Sequence, residues 1–261
     1  MAFVFPEVAP GDPLRISAST FQTWKRCPAS AEARFAGLFA PDSRVSFSGS
    51  LAHLVFKRHL TEGPILDEDF VAVCRQEIGK SENLNYKLAG AGLGRMSVLE
   101  PVFQEVRDLY RRFVRLPTEG FAGSEVELDH EIEGSRLTLL GKIDAVFDDG
   151  GGKLRLVDWK SGALGEPEAQ LGFYAMLWVL ARGEMPARVE AFSVRSGEVY
   201  RAEPTWEGVE ATAGEVAAMV SEMRVSWAAG QAAAKNPGPW CMWCPVIDEC
   251  AEGQAVAALL D

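Results

Sequence analysis

The chain has 261 residues, 48% of them hydrophobic, and a formal charge of -11 from 26 basic and 37 acidic side chains. That length and apolar content allow one large buried core, while the acidic balance excludes a protein that coats nucleic acid through a broad basic surface, though not one with a local basic groove. Residues Met1 to Glu7 lack the basic start of a signal peptide, and no run of roughly 18 apolar residues occurs, which points to a soluble, cytoplasmic protein.

In chain order, Ile16 to Phe35 reads as a helix opened by Ser19 with Gln22 three residues on, and broken at Pro28 beside Cys27. A second helix is expected to start near Ser48 and to carry His53, with Leu51, Leu54, Val55 and Leu60 as its apolar face. Helical patterns over about 67–80 and 94–115 follow. They include Arg107, Arg111, Arg112 and Arg115, for which a solvated helix face is at least as good a reading as a nucleic-acid groove. Beyond Pro117 the apolar positions alternate, at Val126 and Leu128 and at Leu137 and Leu139. The runs Lys142–Phe147 and Leu154–Lys160 complete a predicted sheet. A helix over about 168–182, a hairpin over about 188–203 turning at Ser196-Gly197, and a helix over about 206–229 close the pattern.

Asp149-Gly150-Gly151-Gly152-Lys153 has the glycines that a three-residue hairpin loop requires. If Asp149 pairs with Lys153, the constant index sum of an antiparallel ladder puts Asp144 opposite Asp158, with Lys160 two residues further on the same face. Ile143, Ala145, Phe147 and Val157 would then share one apolar face and Val146, Leu154 and Leu156 the other. Two adjacent carboxylates repel unless a cation lies between them, so a divalent ion is one reading; a structural Asp-Lys ion pair is the alternative. His53 taken alone reads as a structural histidine, and Tyr174 as a member of a stripe with Leu171 and Trp178. Glu125 and Glu127 lie on the strand before the hairpin without an assigned role.

Cys241, Cys244 and Cys250 form a C-x2-C-x5-C run, and Cys27 lies near the other end of the chain. Thiols grouped in this way suit zinc or a [4Fe-4S] cluster, and spacing does not separate them. Cys74 sits on an apolar helical pattern and reads as buried.

The motifs, in their order along the chain, resemble the RecB-like branch of the PD-(D/E)XK nuclease superfamily. Gly49-x-x-x-His53, Gly141-x-x-Asp144, Asp158-Trp159-Lys160 and Gln170-x-x-x-Tyr174 carry the likeness, and the four cysteines resemble its iron–sulfur subset. The resemblance implies an α/β fold of the restriction-endonuclease type, with a mixed central sheet flanked by helices and a helical arch. It implies Mg or Mn held by His53, Asp144, Asp158 and the Trp159 carbonyl, with Lys160 acting on the attacking water and Gln170 and Tyr174 on the substrate strand. It also implies a [4Fe-4S] cluster on Cys27, Cys241, Cys244 and Cys250.

The expected organisation is one domain over 1–261, with a helical subdomain at 48–118, a catalytic sheet core at 119–205 and an iron–sulfur region at 236–252 joined to Cys27. The expected activity is DNA hydrolysis, as an exonuclease on single strands, in repair, recombination or CRISPR adaptation alongside protein partners. A noncatalytic DNA-binding or assembly subunit on the same scaffold is the alternative. An iron–sulfur electron carrier is a third reading, which leaves Asp144, Asp158 and Lys160 unexplained.

Overall fold

The computed structural model describes residues 3–260. Its elements are β1 (Leu14–Ser17), α1 (Ala18–Arg26), α2 (Pro28–Phe35), α3 (Arg44–Glu62), α4 (Phe70–Lys80), α5 (Glu82–Gly90), α6 (Met96–Phe113), β2 (Phe121–Ile132), β3 (Leu137–Asp148), β4 (Leu154–Lys160), α7 (Glu168–Arg182), β5 (Arg188–Ser193), β6 (Val199–Ala202), α8 (Trp206–Ala228) and α9 (Ala251–Ala257). Short 3-10 turns at Pro239–Trp243 and Ile247–Glu249 carry the C-terminal cysteines. The architecture is the expected mixed α/β one. No helix among the described residues is long and apolar enough to cross a membrane.

β3 is the axis of the six-stranded sheet. β2 pairs antiparallel along nearly all of one edge of β3. The other edge is shared: β1 runs parallel beside Leu137–Leu140, and β4 runs antiparallel beside Ala145–Asp148. Gly141–Asp144 lie in the gap between those two strands. β5 then pairs parallel with β4, and β6 antiparallel with β5.

Helices cover both faces. Leu139, Ile143, Val146 and Leu156 pack beneath Phe173 and Leu177 of α7 and Val216 and Val220 of α8. Ala145, Phe147, Val157 and Trp159 pack against Phe47, Leu51 and Val55 of α3 and Phe103 and Phe113 of α6. The placement of Ile143 with Ala145 is therefore corrected: β3 changes face between Ile143 and Val146. Across the ladder from that point, Glu125 has φ 53°, a conformation that side chains other than glycine adopt infrequently.

Other boundaries also differ from expectation. Residues 14–17 leave the first helix to form β1, so Ser17 caps α1, its Oγ accepting from the Thr20 amide at 3.1 Å, in place of Ser19. α3 begins at Arg44, a turn before Ser48, on a reciprocal cap between Ser43 and Ser46. α5 was not expected, because Leu84 is its one fully buried residue and no apolar stripe marks it. On α6, Arg107 and Arg111 pair with Asp67 and Arg112 reaches the Arg195 carbonyl, as suits a structural helix face. Cys74 is buried, and burial pushes its thiol up to about 12.

Candidate active site

Gly150, Gly151 and Gly152 all have positive φ, and Asp149 N donates to Lys153 O, so the hairpin adopts the predicted register. The ladder runs from Asp148↔Leu154 to Ala145↔Val157 and stops there. The next pair, Asp144 with Asp158, does not lie side by side. Instead the Trp159 amide donates to Asp144 Oδ2 at 2.7 Å, while β4 continues alongside β5 with Asp158 beside Ala191 and Lys160 beside Ser193. A side chain thus takes the hydrogen bond that the next rung would have made.

The other oxygen of Asp144 lies 3.1 Å from His53 Nδ1 on α3. Burial would raise the Asp144 carboxyl, but His53, through its charge and hydrogen bond, and the Trp159 amide hold it below the usual carboxylate range. For His53, burial would lower the imidazole; the Asp144 carboxylate outweighs that and holds it above its ordinary value. Glu125 completes the group: ligand atoms of His53, Glu125 and Asp144 all lie within 4.8 Å of one another. Lys142, in the gap, forms an ion pair with Glu125. One imidazole and two carboxylates make a donor set suited to a divalent cation. The set differs from the expected one in containing Glu125 and not Asp158. Sequence reasoning left Glu125 unassigned, yet the turn at Glu133–Arg136 pairs Ile132 with Leu137, and the resulting register sets Glu125 across from Asp144.

Asp158 belongs to a second, adjacent network. Its Oδ2, buried, forms an ion pair with Lys160 Nζ at 2.7 Å. Its Oδ1 accepts from Gln170 Nε2 at 3.0 Å, and Gln170 Oε1 accepts from Lys160 Nζ at 2.7 Å. Burial, and then the charge of Asp144, push the Asp158 carboxyl up to about 6 against the opposing pull of Lys160. Gln170 Nε2 also donates to Tyr174 Oη at 3.0 Å, and that hydroxyl donates to the Lys142 carbonyl at 3.1 Å. Gln170 and Tyr174, expected to face a substrate strand, are buried behind Asp158 and Lys160. Burial pushes the Tyr174 phenol up further still, so it stays protonated and can only donate to the carbonyl.

The motif glycines serve close approach. A Cβ on Gly141 would stand 2.6 Å from Leu177 Cδ2, so the missing side chain lets α7 reach the gap in the sheet. A Cβ on Gly49 would stand 2.8 Å from Ser161 Oγ, which seats α3 against the loop after Lys160. Between α3, the start of α5 and β2–β3 opens a cavity of about 480 Å³, lined among others by Ser50, His53, Ser81, Asn83, Glu125, Lys142 and Asp144.

Cys27, Cys241, Cys244 and Cys250, none of them in a disulfide, line another cavity of about 270 Å³ together with Trp240. Among the described residues, no three of these sulfurs lie within 4.8 Å of one another. Trp243 is 70% exposed.

The PD-(D/E)XK nuclease superfamily matches residues 15–251, and the chain belongs to that superfamily. Among solved structures, a protein from Eubacterium rectale described as "Putative exonuclease" is similar over 85% of this chain and 84% of its own, at 11% identity and a TM-score of 0.51. A second, SSO0001, aligns over 78% of this chain and 98% of its own at 14% identity and a TM-score of 0.37. At 11% identity the first likeness is one of fold. No curated protein sequence matches the chain.

Proposed function

We propose that the chain is a cytoplasmic, metal-dependent deoxyribonuclease acting as an exonuclease on single-stranded DNA. The observation that carries the catalytic reading is the juxtaposition of His53, Glu125 and Asp144 with the Asp158–Lys160–Gln170 network, bridged by the Trp159 amide on Asp144. Mg or Mn held by His53, Glu125 and Asp144, with Asp158 and the Trp159 carbonyl as further ligands, would polarise a phosphodiester and acidify a bound water. His53 gives up its proton to act as a ligand, and its Asp144 contact keeps the ring aimed. Lys160, held between Asp158 and Gln170 yet still 28% exposed at its side chain, orients the attacking water and faces the charge that develops on the phosphate. Gln170 and Tyr174 act as positioning residues, fixing Lys160 and the Lys142 backbone. The exonuclease reading is supported by the described name of the Eubacterium rectale protein, and the single-strand reading by the family resemblance.

Wild type, Lys160→Ala and Asp144→Ala are compared on end-labelled single- and double-stranded DNA with Mn. Only wild type should cleave, with shortening from an end of the single strand; equal activity in all three defeats the site assignment. A role in repair, recombination or CRISPR adaptation with protein partners is part of the same reading, as is one domain over 1–261 with a helical subdomain at 48–118, a sheet core at 119–205 and a cysteine region at 236–252.

The cysteine cavity is proposed to hold a [4Fe-4S] cluster. Backbone amides of Asn236, Gly238 and Gly253 point at the sulfurs of Cys27, Cys241 and Cys250 at 3.4–3.5 Å, the kind of donor that stabilises cluster thiolates. Zinc at about 2.3 Å from each sulfur would draw the four to within about 4 Å of one another, closer than they stand. Iron and sulfide assays on anaerobically purified protein test this; stoichiometric zinc in their place overturns it.

A further inference from the structure

The cavity that holds His53, Glu125 and Asp144 is also lined by Ser50, Ser81 and Asn83, outside the catalytic network, with Lys87 behind Ser50. Ser50 lies one helical turn before His53 on α3, and residues three apart share a helix face with Cβ atoms about 5–6 Å apart. From α5 across the groove, Lys87 Nζ reaches Ser50 Oγ at 2.8 Å. Among the described residues no carboxylate lies within 4.0 Å of that ammonium group, although most basic side chains near the site are paired: Lys142 with Glu125, Arg44 and Arg195 with Glu105, Lys160 with Asp158. In a chain with 37 acidic and 26 basic residues, a half-buried lysine held by a hydroxyl alone retains its capacity for an anion.

We propose that Ser50 and Lys87 form a phosphate subsite that grips the phosphodiester next to the one being cleaved. This rests on the nuclease reading, since it gives the strand its path: the scissile phosphate at His53 and Asp144, its neighbour one helical turn along α3. The ammonium supplies the charge and the serine hydroxyl a second donor, an arrangement that positions a nucleic-acid backbone without reading its bases. It also accounts for α5, which lacks an apolar stripe and contributes one fully buried side chain to the core.

The test is binding, read by anisotropy of a fluorescent single-stranded oligonucleotide in Ca²⁺, for wild type, Lys87→Ala, Lys87→Arg and Ser50→Ala. Lys87→Ala should weaken binding about tenfold and lower the salt slope by about 0.7, the value for one phosphate contact on a single strand. Lys87→Arg should restore most of the affinity, and Ser50→Ala should cost a smaller factor. A neutral methylphosphonate scanned along the oligonucleotide should weaken wild type at one linkage, and at that linkage Lys87→Ala should lose nothing further. Binding by Lys87→Ala within twofold of wild type, or additive losses from the variant and the neutral linkage, overturns the subsite. Cleavage is read separately in Mn. Wild type that binds as described but cleaves nothing defeats the nuclease reading and leaves the subsite standing, whereas cleavage with unchanged Lys87→Ala binding does the reverse.

Discussion

The amide of Trp159 and Oδ2 of Asp144 meet at 2.7 Å, so the residue between Asp158 and Lys160 is tied through its backbone to the opposite carboxylate. The two halves of the site are therefore registered against each other by one bond that needs an oxygen acceptor but not a charge. Asp144→Asn keeps an oxygen that can accept it, whereas Asp144→Ala does not. Both variants should lose cleavage by at least about a hundredfold, the range seen when one transition-state contact is removed. Asp144→Ala should also be less stable than Asp144→Asn, by about 1–3 kcal/mol for an orphaned buried amide. Urea unfolding without metal separates the two; equal stability of the variants would mean that the bond does not hold the strands.

Glu125 supplies a carboxylate to the His53–Asp144 group. Glu125→Gln should weaken Mn binding about 10–100-fold, the range for loss of a group that supports a metal, when measured by calorimetry without DNA. The same titration should show affinity rising with pH near neutrality, because His53, held above its ordinary value by Asp144, must release a proton to bind. Affinity that is flat with pH would mean that the imidazole is not a ligand.

Asp158 gives a pH signature of the opposite sign to an ordinary salt-bridged aspartate. Below 3.8 its carboxyl is protonated in both folded and unfolded chains and contributes nothing; between 3.8 and about 6 the unfolded chain ionises first, and above about 6 the cost to the metal-free fold is complete. That cost is of order 1–3 kcal/mol. The stability of Asp158→Asn relative to wild type should therefore rise between pH 4.5 and pH 8. A constant difference across that range would show that Asp158 does not carry the strain.

Gly141→Ala places a methyl group 2.6 Å from Leu177 Cδ2, which is fully buried and cannot swing away. Overpacking of this kind costs about 1–3 kcal/mol. Because α7 carries Gln170, cleavage should fall as well, and a compensating Leu177→Ala should restore part of both losses. Failure of the double variant to recover either property would place the effect elsewhere.

The hairpin was legible from the sequence because three glycines and a constant index sum leave one register open. α7, predicted over about 168–182, was found at Glu168–Arg182, since a strongly apolar helix ending at Gly183 is clear locally. β1 was not legible: its four residues pair with β3 across the whole helical region, and Leu14 and Ile16 fit a helical stripe as well as a strand. The same limit hid the division of labour at the site. Sequence spacing brought Asp144 and Asp158 to facing positions but could not show that β4 leaves the ladder one rung early to follow β5. Nor could it show that Gln170 turns inward to Asp158 and Lys160.

The gap in the sheet also bears on how the molecule folds. Leu14 joins Leu137 only after α1 to α6 lie between them as a closed loop, whereas β3, β4 and the glycine turn are neighbours along the chain. Pairings of such different sequence separation form at very different rates. The hairpin can assemble early, and the docking of β1, which completes the lower border of the gap at Leu140, belongs to a slow final phase. Catalytic competence should thus lag behind the recovery of helix signal during refolding, by the time this one short strand takes to find its edge.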